Sequence, residues 1–60
     1  MYIKMGSEKD GKDFHFCYGG SDETLTEEVI VNNWGYTKAA EGVYRHPLPN
    51  GREMVIYIEG

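Results

Sequence analysis

The chain has 60 residues, six basic and ten acidic, for a formal net charge of −4, and a single cysteine, Cys17. That length makes one domain, residues 1–60, which buries only about 60% of the surface its unfolded form exposes. One cysteine excludes an internal disulfide, and no Cys/His set has structural-zinc spacing, so the fold must hold by apolar packing, or by packing plus a partner.

Residues 2–6 form the first strand candidate, with Ile3 and Met5 on one face. Glu8 to Lys12 is turn material, and Asp10-Gly11 is a strong hairpin signal. The second strand spans Asp13 to Tyr18. Strict alternation puts Phe14, Phe16 and Tyr18 on one face, and His15 and Cys17 on the other. Gly19-Gly20-Ser21-Asp22 is expected to end it.

An α-helix of about two turns is expected next. Thr26 serves as N-cap, and Glu27 and Glu28 occupy the first turn, where the helix dipole favours negative charge. Leu25 and Ile30 have the spacing of a hydrophobic staple. Ile30, Val31 and Trp34 form the apolar stripe, and Gly35 closes the helix. Short strands follow at Tyr36–Lys38 and Val43–His46, the latter ended by Pro47. Leu48 to Gly51 is a hairpin loop signalled by Asn-Gly, and Arg52 to Glu59 is the last strand.

The order β-β-α-β-β-β with short connections predicts an α+β fold. It consists of a single, mainly antiparallel sheet of four to five strands with one short helix packed on one face. The stripe Ile30, Val31, Trp34 is expected on Phe14, Phe16, Ile56 and Ile58. His15, Cys17, Val55 and Tyr57 are expected on the open face.

Catalytic and metal-binding patterns are weak throughout. His15, Cys17 and His46 are too few and too scattered for zinc. Cys17 lies next to an acidic segment, which opposes thiolate formation. Asp10, Asp13 and Asp22 lack the calcium-loop pattern, and Gly19-Gly20 lacks the phosphate-loop spacing and lysine. No catalytic residue, metal or cofactor is therefore assigned. Residues 13–37 contain no Lys or Arg but carry Asp13, Asp22, Glu23, Glu27 and Glu28. That argues against direct nucleic-acid binding, which needs clustered cations; it suits either a protein partner with a basic surface or plain solubility. No stretch approaches the roughly 20 apolar residues of a membrane span. With no signal peptide and a lone thiol, a cytoplasmic location is expected.

Residues 25–58 resemble the HicA-like toxins, whose fold is related to double-stranded-RNA-binding domains. The likeness rests on an apolar helix, Trp34-Gly35-Tyr36, Gly42, Tyr44-Arg45-His46-Pro47, the Gly51 turn and a closing apolar strand. In that family the catalytic histidine follows a Gly-Ser pair; here Val43 follows Gly42, so the resemblance implies the hairpin layout without that histidine. In size and acidity the chain is also similar to small phage inhibitors of host defence, including anti-CRISPR proteins.

The expected function is therefore that of a small acidic protein-binding module, an inhibitor or adaptor and not an enzyme. It would dock on a basic surface of a nucleic-acid-processing protein through Asp22, Glu23, Glu27 and Glu28, with Tyr44, Val55 and Tyr57 as the buried contact. One alternative is an RNA-binding or ribonuclease toxin-type protein using His46, Arg45 and Lys38. Another is a homodimer joined through sheet faces or edges.

Overall fold

A computed structural model describes residues 1–59. Five strands form one antiparallel sheet: β1 (Tyr2–Lys9), β2 (Lys12–Ser21), β3 (Thr37–Ala40), β4 (Val43–Pro47) and β5 (Glu53–Glu59). Their order across the sheet is β2-β1-β5-β4-β3. The first and last strands thus pair in the middle, with Ile3 opposite Ile58 and Met5 opposite Ile56.

Turn chemistry sets the hairpins. Asp10 and Gly11 both have positive φ, 53° and 75°, as a two-residue turn with right-handed strand twist requires. Gly42, at φ 71°, closes the β3–β4 turn; its carbonyl accepts the Ile58 amide at 2.8 Å. The β4–β5 loop closes through the Leu48 amide on the Arg52 carbonyl, 2.8 Å.

After β2 the chain must travel from one edge of the sheet to the other before β3 begins. That crossing carries the helical segment and brings Leu25 and Ile30 into one core cluster with Ile3, Tyr44 and Ile56. Ile3, Ile30, Ile56 and Val55 are fully buried. Each contributes about 1.5–3 kcal/mol relative to exposure.

The helical segment differs from the expected two-turn α-helix. Glu27 and Glu28 are α-helical, but Val29–Asn33 form a π turn. The Trp34 amide donates to the Val29 carbonyl at 3.0 Å, five residues back. Thr26 caps the start as expected, its Oγ1 accepting the Val29 amide at 3.3 Å, and Gly35 takes φ 77° just past the end. The wider π turn rotates Trp34 out of the apolar stripe. Trp34 is 44% exposed and meets Tyr36 at 6.3 Å between ring centroids.

A second correction concerns β2. It runs through Gly19 and Gly20 to Ser21 instead of stopping at Tyr18. Its register on β1 shifts twice, between Ser7 and Lys9 and between Met5 and Gly6. Each shift marks a β-bulge, where one extra residue resets the side-chain alternation. Phe16 pairs with Gly6 while Tyr18 pairs with Met5, so Phe16 and Tyr18 lie on opposite faces. Phe14 and Phe16 therefore share a face with Tyr57 and Val55, and do not meet Ile30, Ile56 and Ile58 as the alternation predicts. The sheet thus has an Ile30 face and a Tyr57 face.

Gly6 makes this arrangement feasible. A Cβ there would sit 2.5 Å from the Phe14 ring and would also strike the His15 carbonyl. The missing side chain is the socket into which Phe14 folds. Arg52 secures the adjacent bulge: it donates to the Ser7 carbonyl at 3.0 Å, the Asp13 carbonyl at 2.6 Å and Asp13 Oδ2 at 3.1 Å, while Asp13 adopts φ 55°.

Gly6→Ala should destabilise the fold by about 1–3 kcal/mol, the usual cost of forcing atoms into a filled site. Urea unfolding followed by tryptophan fluorescence reads this; an unchanged midpoint would show that Phe14 does not depend on the socket.

Candidate functional site

The Tyr57 face is built from residues that cross-strand pairing sets side by side. Lys4 lies opposite Tyr57, Tyr2 opposite Glu59, Gly6 opposite Val55, and Arg45 opposite Val55 on the far side. Phe14 and Tyr57 meet at 6.1 Å with a 59° tilt, a favourable edge-biased contact. Tyr2, Lys4, Glu8, Phe14, Tyr57 and Glu59 line a shallow depression of about 330 Å³.

Below one end of it lies a buried carboxylate. The Glu8 side chain is 5% exposed, yet it is fully engaged. Its Oε1 accepts from Arg45 Nη1 at 2.7 Å and from the Tyr57 hydroxyl at 3.2 Å. A buried charge needs such partners, because desolvation otherwise outweighs the attraction. The Tyr57 hydroxyl is held in its protonated form by burial first and the neighbouring Glu8 charge second. The Tyr57 ring is thereby fixed across the sheet, with its hydroxyl directed at Glu8.

Two expected contact residues are placed elsewhere. Tyr44 is 4% exposed and belongs to the core on the Ile30 face, its hydroxyl donating to Glu27 Oε1 at 2.8 Å. Val55 lies on the Tyr57 face but is fully buried, so it offers no surface to a partner. Tyr57 remains half-buried at the depression. Phe16, 62% exposed, and Tyr2, 52% exposed, were not among the expected contacts. Two bulges hid the facing of Phe16. Tyr2 was legible as the residue before Ile3, on the opposite side of its strand.

The acidic residues are largely occupied within the chain. Asp22 Oδ1 accepts the Thr24 amide and hydroxyl, both at 2.8 Å, and the Leu25 amide at 3.2 Å, which makes it a turn cap. Glu23 pairs with the amino terminus at 2.9 Å. Glu27 accepts from Tyr44 and pairs with Lys38 Nζ at 3.0 Å. Among the described residues Glu28 has no ion-pair partner. The four carboxylates therefore form no free patch.

The groups of the toxin-like alternative are also engaged. Lys38 pairs with Glu27 and Glu41, and Arg45 with Glu8 and Glu53. His46 stacks on Tyr36, 5.2 Å between centroids, and donates Nδ1–H to the Gly35 carbonyl at 3.3 Å. His15 donates to Asp13 at 3.2 Å, and Cys17 is an exposed free thiol. No helix among the described residues is long and apolar enough to cross a membrane.

The carboxylate networks carry a pH signature. The Thr24 hydroxyl, followed by its amide, holds Asp22 below its ordinary 3.8. The Tyr44 hydroxyl, followed by Lys38, holds Glu27 below 4.5, and Arg52 holds Asp13 below 3.8. Lowered folded-state values mean that the folded chain binds fewer protons than the unfolded one. Their stabilisation is complete above the ordinary carboxylate range and disappears as pH falls through the lowered values. The urea midpoint should hold near neutrality and drop below about pH 4, and Asp22→Asn should shrink that drop because the turn acceptor no longer titrates. Tyr44→Phe should cost about 1 kcal/mol at neutral pH by removing the hydrogen bond to Glu27, measured by the same unfolding. Comparison with family models, curated proteins and solved structures returns no significant match to this chain.

Proposed function

We propose that the protein is a non-enzymatic binding module, an inhibitor or adaptor, that docks through its Tyr57 face on a basic surface of a protein such as a nucleic-acid-processing enzyme. The observation that carries this reading is the presence of two exposed aromatics on the Tyr57 face: Tyr2, which lines the depression with Phe14 and Tyr57, and Phe16, which lies opposite Gly6. Exposed aromatics around a shallow recess are the composition of an interface centre, where rings give large contact area at small entropic cost. The crossing segment packs Leu25 and Ile30 against part of the Ile30 face and leaves Tyr18 exposed there; the depression on the Tyr57 face is what favours that side for docking.

The charge of −4 favours a basic partner and speeds encounter at low salt. With Asp22, Glu23 and Glu27 already engaged, this steering belongs to the whole molecule more than to those residues. Glu59, exposed at the edge of the depression, and Glu28 supply unpaired charge. Phe16, Tyr2 and Phe14 join Tyr57 in the place first given to Tyr44 and Val55. The engagement of Lys38, Arg45 and His46 within the fold weighs against phosphate contacts and acid–base chemistry by those groups.

The test is affinity capture with the tagged chain at low and high salt, repeated with the double variant Tyr2→Ser/Phe16→Ser. Both residues are exposed, so the variant should fold. A stoichiometric protein partner should be captured, weaken with salt, and bind at least about tenfold less well to the variant. Capture indifferent to the variant, or a stable dimer by light scattering that the variant dissociates, would overturn the reading.

A further inference from the structure

The depression on the Tyr57 face has the make-up of a cation cage. Three of its six lining residues are aromatic, Tyr2, Phe14 and Tyr57, and two are carboxylates, Glu8 and Glu59. Its volume, about 330 Å³, is at the small end of ligand pockets, which run from about 300 to 1,000 Å³. A cation already lies against its wall. Lys4 Nζ is 4.9 Å from the Phe14 ring centroid, within the roughly 6 Å over which a ring face attracts positive charge. Lys4 has no carboxylate partner among the described residues, and its ammonium rests over the Phe14 ring alone.

The two carboxylates differ in availability. Glu8 is buried and committed to Arg45 and Tyr57. Glu59 is exposed, opposite Tyr2, and has no ion-pair partner among the described residues. The site therefore offers ring faces and one free carboxylate at its rim. This is the complement of a planar cation that stacks and forks at the same time.

We propose that this depression receives the guanidinium of an arginine on the protein partner, and that Lys4 is the internal cation that occupies the ring face until the partner displaces it. The inference rests on the docking reading above and names the partner's chemistry. A guanidinium is planar and weakly hydrated, so it leaves water for a ring face more readily than an ammonium does. Its paired N–H groups match the Glu59 carboxylate in a bidentate contact. Lys4 is the more strongly hydrated cation, and its flexible stem can swing outward over an exposed strand position.

The experiment titrates acetyl-Gly-Arg-Gly-amide into the full chain and follows the ring protons of Tyr2, Phe14 and Tyr57 by NMR. The lysine counterpart serves as the comparison, and the amide spectrum of each variant checks its fold. Saturable shifts centred on these rings are expected, with arginine bound more tightly than lysine. Lys4→Met, which removes the internal cation from the ring face, should tighten arginine binding about threefold or more, and Glu59→Gln should weaken it by a similar factor. Equal binding of the two peptides, shifts that spread over the acidic surface without saturating, or an affinity indifferent to Lys4→Met would overturn the proposal. The two readings fail separately. A partner lost with Tyr2→Ser/Phe16→Ser but unaffected by Lys4→Met and Glu59→Gln removes the cage alone. A cage that fills with arginine while the partner ignores the aromatic pair removes the docking reading alone.

Discussion

The fold depends on one constraint: a single sheet has two faces, and among the described residues one connection crosses it. The passage from β2 to β3 brings Leu25 and Ile30 into the core cluster with Ile3, Tyr44 and Ile56 on the Ile30 face. Among the described residues no other connection crosses the sheet to cover the other side. The Tyr57 face is therefore closed by its own side chains. Phe14 folds into the socket over Gly6, Tyr57 lies across β1, and Arg45 reaches Glu8. Val55 is fully buried as a result, without a second layer of backbone above it.

This solution makes polar groups part of the structure. Glu8 is charged and buried, which is tolerable only because Arg45 and Tyr57 supply hydrogen bonds to it. Arg52 holds the bulge at Asp13, where a non-glycine residue sits at positive φ. Asp22 organises the turn into the helical segment. Many of the charges that look free in the sequence are thus internal fastenings, in keeping with a chain that has neither a disulfide nor a large core. The charge left over is small and dispersed, and the aromatic surface becomes the more specific feature.

The bulged strand β2 also shapes the outer edge of the sheet. Two register shifts in one strand interrupt the regular row of backbone donors and acceptors that would otherwise invite another strand to pair. The opposite edge, β3, is exposed but only Thr37–Ala40 long. Both edges are thus poor templates for extended pairing, which directs attention from the edges to the faces as contact surfaces.

Much of the local structure was legible from the residues. Asp10-Gly11 dictated a tight hairpin because few other pairs adopt positive φ at both positions. Thr26 and Gly35 bracketed the helical segment because one accepts an orphan amide and the other takes a left-handed backbone. The alternation of residues 52–59 separated Ile56 and Ile58 from Val55 and Tyr57. The face of Tyr57 follows from strand alternation, but Phe14 and Phe16 lie on the side opposite to that expected, and Tyr44 lies in the core. Those facings depend on register between strands distant in the chain, and on two bulges whose extra residues no period-2 pattern reveals. The residues themselves mark the Asp10-Gly11 and Gly51 turns and the centres of the five strands, but not the strand ends: β1 continues to Lys9, β2 through Gly19 and Gly20 to Ser21, and β3 to Ala40. Only the tertiary structure decided which residues share a face, because that is fixed by where β1 meets β2 and β5, not by any run of neighbouring residues.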